Sequence, residues 1–199
     1  MKCKILLPVS FFLLSITSVF SYQTSGKTID GRNITLESNG TWKYEDVKIF
    51  KKNTTAKTFV KSKSNSLGVW FDDKKWKNKS EQINEDSEFT FSLINDDGCV
   101  IMINEGVGLP SEFMKEVITT RLEEVLDDYQ LVCEENRIIN NLPVTYYEIH
   151  GKTSGIDICL MHYVYSNEDE TTQLVAYTMG KKIHTIKHKL EDFLNGLSK

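Results

Sequence analysis

Beyond residue 66 the chain switches between two hydrophobic periods, and the switches predict its elements. "LGVWFD" (67–72) reads as a strand, and "EFTFSLIN" (88–95) as another with Phe89, Phe91 and Leu93 on one face. "NDDG" then turns into "CVIMINEG" (99–106), an almost wholly apolar strand of the kind buried on both sides. Pro110 opens a helix, with Glu112 near its positive end. Met114, Val117, Ile118, Leu122, Val125, Leu126 and Tyr129 follow at three- and four-residue spacing. Strands are predicted at about 130–138, 143–151, 156–165 and 171–179, separated by the short turn-rich runs "NNLP", "GKTSG" and "SNEDE". Neighbours joined so closely must run antiparallel. A second amphipathic helix spans 181–197, with Ile183, Ile186, Leu190, Phe193, Leu194 and Leu197 on one side. The order predicts an α+β fold, an antiparallel sheet packed with two amphipathic helices.

The first third reads differently. Residues 22–46 give short strands near 27–29, 33–36 and 41–44, joined by Asp30-Gly31 and Asn39-Gly40, whose glycines suit tight hairpin turns. A β-meander this small must lean on a larger body. Trp42 and Tyr44 are either its docking residues or a stacking surface for a ligand. Residues 47–65 show no period and many Lys, Thr, Asn and Ser, the composition of a basic linker. The division is therefore 1–21 leader, 22–46 meander, 47–65 linker and 66–199 main domain.

Composition refines this picture. Lys2 and Lys4 precede a nearly uncharged run from Ile5 to Phe20, and Val19 and Ser21 suit a signal-peptidase cut before Tyr22, so export to the periplasm or beyond is expected. Past that cut the cysteines are Cys99, Cys133 and Cys159, an odd number in apolar runs, expected as small buried hydrophobes. The 28 acidic and 24 basic side chains leave a net charge of −4, but unevenly. Ten lysines lie between residues 48 and 79, whereas residues 80–180 carry twenty acidic side chains against Lys115, Arg121, Arg137 and Lys152. That acidic body excludes nucleic acid as its partner. Membrane contact is expected only through the leader or the basic segment.

Several patterns could carry chemistry. His184, His188 and Asp192 stand four apart on the last helix, a spacing able to hold a metal. They lie opposite its apolar stripe, however, and Thr185 stands where a zinc protease needs Glu, so a solvated face is the plainer reading. A hairpin turn at Thr153-Ser154 would pair His150 with Asp157, Ile149 with Ile158, Glu148 with Cys159 and Tyr147 with Leu160. Cys133 would flank Glu148, ~10 Å from Cys159 and too far for a disulfide. His, Asp and Cys together suggest nucleophilic catalysis, but no oxyanion donors are implied beside them. "NDDG" and "SNEDE" lack calcium-loop spacing, and no phosphate loop, CxxC or GxSxG is present. Asn33, Asn39, Asn53 and Asn78 begin sequons, relevant only in a eukaryotic secretory host. Tyr146, Tyr147, Tyr163, Tyr165 and Tyr177 concentrate on the later strands, and any of them left exposed would be the first surface to suspect for a partner.

Residues 66–199 resemble the PsbP-like α/β/α sandwich domains of exported and lumenal proteins. The resemblance rests on Trp76 after "WFDDKK", "CVIMINEGVGLPSEFMKEVI", "QLVCEENRIINNLPVTYYEIHG", "ICLMHYVYSNEDETTQLVAYT" and "IHTIKHKLEDFLNGL". "GKTIDGRNITLESNGTWKYED" is similar to a short segment of exported Bacteroidetes proteins. The resemblance implies the sandwich fold and an accessory or binding role, without a cofactor, toward another envelope protein or a small ligand. The competing reading is a hydrolase or metal enzyme using His150 and Asp157, or His184 and His188.

Overall fold

A computed structural model describes residues 24–27, 33–36, 42–44, 47–80 and 85–199. The leader expected at 1–21 and the two glycine turns of the meander lie outside the described residues. In chain order the elements are β1 (Thr24–Lys27), β2 (Asn33–Leu36), β3 (Trp42–Tyr44), β4 (Lys48–Phe50), β5 (Thr58–Lys61), β6 (Gly68–Phe71), β7 (Trp76–Lys79), β8 (Phe89–Leu93) and β9 (Gly98–Glu105). After them come α1 (Ser111–Val125), β10 (Asp127–Ile139), β11 (Leu142–Thr153), β12 (Ile156–Ser166), β13 (Thr171–Met179), α2 (Ile183–Leu194) and β14 (Leu197–Ser198). Among the described residues neither helix is long and apolar enough to cross a membrane.

The main sheet runs β1-β2-β3-β10-β11-β12-β13-β9-β8-β7, with β4 also on β10. Its central ladders are antiparallel, as expected, but β3 and β4 pair parallel with β10. β10 is long enough for both to dock in succession along one edge, which satisfies backbone groups that an open edge would leave bare. The segment expected as a linker, 47–65, is therefore largely structured. It holds β4 and also β5, which with β6 and β14 forms a second, three-stranded sheet. The strand expected at 67–72 thus belongs to that small sheet and not to the main one.

Burial explains the layers. Both faces of the main sheet are covered, so its central strands carry apolar side chains on alternate positions in both directions. On one face α2 and the small sheet pack Phe193, Leu190 and Phe71 against Trp76, Phe91, Met102, Tyr146, Tyr163 and Leu174 of the main sheet. Phe193 is the hub, its ring 4.6 Å from that of Trp76 and 4.8 Å from that of Phe91. On the other face α1 covers Ile101, Tyr147, Ile149, Leu160 and Val175 with Met114 and Ile118. The stripe predicted for α1 is only partly seated. Val125 is 64% exposed, and the helix stops there because residues 127–139 are claimed by β10. Likewise α2 ends at Leu194, since Leu197 and Ser198 pair with β6.

Two tight turns set the register of the sheet. Asn140 and Asn141 have positive φ values of 48° and 70°, and Ser154 and Gly155 have 52° and 77°, the conformation that matches right-twisted hairpins. Asn140 also ties down distant segments: its amide donates to the carbonyls of Asn195 and Leu197, and its side-chain oxygen accepts from the Lys52 amide. At Gly196 the C-terminal tail passes so close to the Trp70 carbonyl that a Cβ has no room.

Candidate functional site

Strand alternation brings the chemistry-bearing side chains to the α2 face. Cys133, Glu135, Arg137 and Ile139 project from β10 toward it, and Tyr146 and Glu148 do so from β11 beside them. Across β12 their neighbours are Met161 and Tyr163. The result is a polar seam inside an apolar layer, with two centres.

The first centre is Arg137, whose side chain is 4% exposed. Its guanidinium contacts the buried Glu135 carboxylate and donates to Glu191 of α2 at 2.6 Å and to the Tyr163 hydroxyl at 2.7 Å. It also lies 3.6 Å from the Tyr146 ring centre and 4.9 Å from that of Phe50. The Tyr163 hydroxyl in turn donates to the Asn195 side-chain oxygen, and Lys48 of β4 closes on Glu135 at 2.7 Å. Burial disfavours the charged guanidinium, but Tyr163, Glu135 and Glu191 outweigh it and bind the proton more tightly than usual.

Glu148 is the second centre. Lys187 of α2 donates to both its oxygens at 2.6 and 2.7 Å, Tyr146 donates at 3.0 Å, and His150 Nε2 lies 3.0 Å away. Burial pushes the carboxyl up, but the Lys187 contact, with Tyr146 and His150, more than reverses this and holds it below the usual carboxylate range. Cys133 and Cys159 flank it. Burial and the neighbouring carboxylates push both thiols up to about 12, so they are inert neutral groups, and all three described cysteines are free and buried.

The expected site residues fall as follows. His150 faces Cys159, and Asp157 faces Lys152, because the hairpin turns at Ser154-Gly155 and not at Thr153-Ser154. The anticipated His150–Asp157 pair does not form, and Asp157 is exposed. His184, His188 and Asp192 are all exposed on α2; Asp192 accepts from Asn53 at 3.3 Å, and the three do not gather as ligands. Among the described residues the set that could hold a metal is instead Glu148, His150 and Cys159, their ligand atoms within 4.8 Å of one another. A cation there must displace the Lys187 ammonium and deprotonate a thiol whose pKa is about 12, so the donor set suits an ion pair better than a metal. Tyr146, Tyr163 and Tyr165 are buried and offer no outer face to a partner: sheet alternation turns each toward the α2 layer. Trp42 packs on that same core, the docking role, while the side chain of Tyr44 lies outside the described residues.

Sequence reasoning passed over Arg137, Glu135 and Lys187. The signal was present: in "CEENRII" two charges share the parity of Cys133 and Ile139, positions that an apolar face would claim. Open space lies elsewhere. A groove of about 620 Å³ is lined by Val47, Leu109, Pro110, Ile138, Pro143 and neighbouring side chains.

No protein-family model matches this chain, and no curated protein does. Solved structures do. Cyanobacterial PsbP (CyanoP) from Synechocystis sp. aligns with a TM-score of 0.53 at 9% identity, over 73% of this chain and 94% of that one. LpqN of Mycobacterium tuberculosis, described as involved in cell envelope biogenesis, aligns at 0.49 and 11% identity over 71% and 88% of the two chains. A Bacteroides thetaiotaomicron protein aligns at 0.40 and 14% over 66% and 44%. The chain has a PsbP-like fold, α+β, dominated by sheet with two helices.

Proposed function

We propose that this protein is an exported, non-catalytic accessory or binding protein of the bacterial cell envelope. One observation carries the reading: the groups best equipped for catalysis are saturated by one another. Glu148 is held by Lys187, Tyr146 and His150, and Arg137 by Glu135, Glu191 and Tyr163. A group spent in this way stiffens the α2 interface and is not poised to accept or donate a proton. The open groove beside β4 has an apolar part, with Val47, Leu109, Pro110, Ile138 and Pro143, and a polar rim that includes Asn136, Asn167 and Glu168, the mixed lining of a recognition surface. The PsbP-like fold and the leader-like first 21 residues support the accessory role and the export.

The set Glu148, His150 and Cys159 favours a second reading, a metal-binding protein. One preparation distinguishes the two. Untagged mature protein, recovered from the envelope fraction and beginning at Tyr22, is assayed for zinc content, for ester and phosphoester hydrolysis, and for a stoichiometric envelope partner. The accessory reading expects a saturable partner, no bound zinc and no turnover. Zinc at one equivalent that is lost in His150→Ala, or hydrolysis abolished by that substitution, overturns it.

A further inference from the structure

On the sheet face under α1, His162 of β12 stands in the run "CLMHYVY", between Leu160 and Val164. It is 5% exposed, and neither ring nitrogen, both closed off from solvent, has a hydrogen-bond partner among the described residues. Burial lowers its pKa to about 4, so the ring is neutral at physiological pH. The imidazole borders a cavity of about 340 Å³ between α1 and the sheet, walled by Ile101, Ile103, Ile118, Leu122 and Val175. Two of its lining residues mark the way in: Val125, 64% exposed, and Arg121, whose side chain is 68% exposed. An unpaired buried polar group is costly and rare in a native fold, and here its ring lies in the wall of a space that α1 leaves uncovered.

We propose that this cavity binds a small, uncharged, mainly apolar molecule bearing one hydroxyl, the His162 ring turning to bring a nitrogen onto that hydroxyl. The size follows from the volume, which accommodates on the order of ten non-hydrogen atoms at about 30 Å³ each. The polarity follows from the walls, which are mostly aliphatic and whose other polar side chains, Thr153, Gln173 and Tyr177, are neutral. Arg121 is the charged residue of the lining, and it already pairs with Asp86 at 3.3 Å, so nothing inside compensates a ligand charge. The hydroxyl follows from the imidazole: a neutral ring offers one N–H and one bare nitrogen, and a hydroxyl can donate to the second or accept from the first. An ether accepts only, and an ammonium donates only. The inference stands independently of the envelope role, since it concerns the opposite face of the sheet from the Arg137 and Glu148 centres.

The test titrates the mature protein with benzyl alcohol, toluene and benzoate while NMR follows the imidazole nitrogens and the methyls of Ile118, Leu122 and Val125. Benzyl alcohol is expected to saturate, to move a His162 ring nitrogen and those methyls together, and to bind about tenfold more tightly than toluene. His162→Leu keeps the site apolar and should abolish that preference while still binding toluene. Val117→Trp fills the space from the helix side and should abolish both. Toluene binding as tightly as the alcohol, benzoate binding more tightly, or a silent His162 ring each overturns the assignment. The ring signals of the unsubstituted protein decide the matter even if a variant fails to fold.

Discussion

Acidification is the sharpest probe of His162. An ordinary histidine titrates near 6.5, whereas burial holds His162 at about 4. Above the ordinary value neither the folded nor the unfolded chain binds the proton, and below the folded value both do. Between them only the unfolded chain is protonated, so stability is full at neutral pH and falls as the pH drops through this window. Integrated from about pH 7.5 to about pH 5, the linkage removes about 2 kcal/mol, a large part of a typical stability of about 5–15 kcal/mol. The hydrogen-bonded carboxylates interfere little. Glu88, Glu148 and Glu170 are held below their ordinary 4.5, so what they contribute is present above that value and is lost only at lower pH. The assay is urea unfolding followed by tryptophan fluorescence, to which the buried Trp76 contributes, at several pH values for the native chain and for His162→Leu. The native midpoint should slide across this window while the variant's stays nearly level, converging on it toward neutrality apart from a constant packing offset. Parallel curves would refute the reasoning, because the loss would then originate elsewhere.

Other perturbations follow from the same contacts. Lys187→Met strips Glu148 of its main counter-charge; because the lysine is 39% exposed the expected cost is about 1–3 kcal/mol at neutral pH, shrinking in acid as Glu148 takes up a proton. Melting curves at two pH values check this, and an equal cost at both refutes it. Gly196→Ala drives a methyl into the Trp70 carbonyl and should lower stability by about 2 kcal/mol, or ~4–8 °C in Tm; an unchanged Tm removes the close approach from the account. Cys133 and Cys159, raised to about 12, should resist a thiol reagent at mildly alkaline pH until denaturant is added, and prompt labelling of the folded protein contradicts their burial.

The sequence disclosed faces better than partners. The β11–β12 turn was misplaced by one residue, so the expected register slipped by two, and a slip of two leaves every side chain on its own face. Tyr147, Ile149, Ile158 and Leu160 therefore share one core as anticipated, with Glu148 and Cys159 on the other, while His150 meets Cys159 and not Asp157. The backbone explains the error: a two-residue hairpin wants positive φ at both central positions, and Gly155 supplies one more readily than Thr153. β4 and β5 escaped notice because strands of three and four residues offer too few positions for a period, and their lysines belong at edges. In β4, Lys48 reaches Glu135, a partner 87 residues away that no local pattern could name. His162 was legible in principle, as the one ionisable side chain in "CLMHYVY" apart from its tyrosines and cysteine.

Asn140 has a consequence for how the domain opens. It sits in a two-residue turn, where glycine or aspartate would satisfy the backbone as well. Yet its side chain is the shared anchor of the loop after β4, the end of α2 and the last strand. Regions so distant along the chain would ordinarily fray one at a time. Fastened to a single amide, they should instead exchange their backbone protons as one cooperative unit, making this hairpin tip, an unlikely place by convention, the latch of the second sheet.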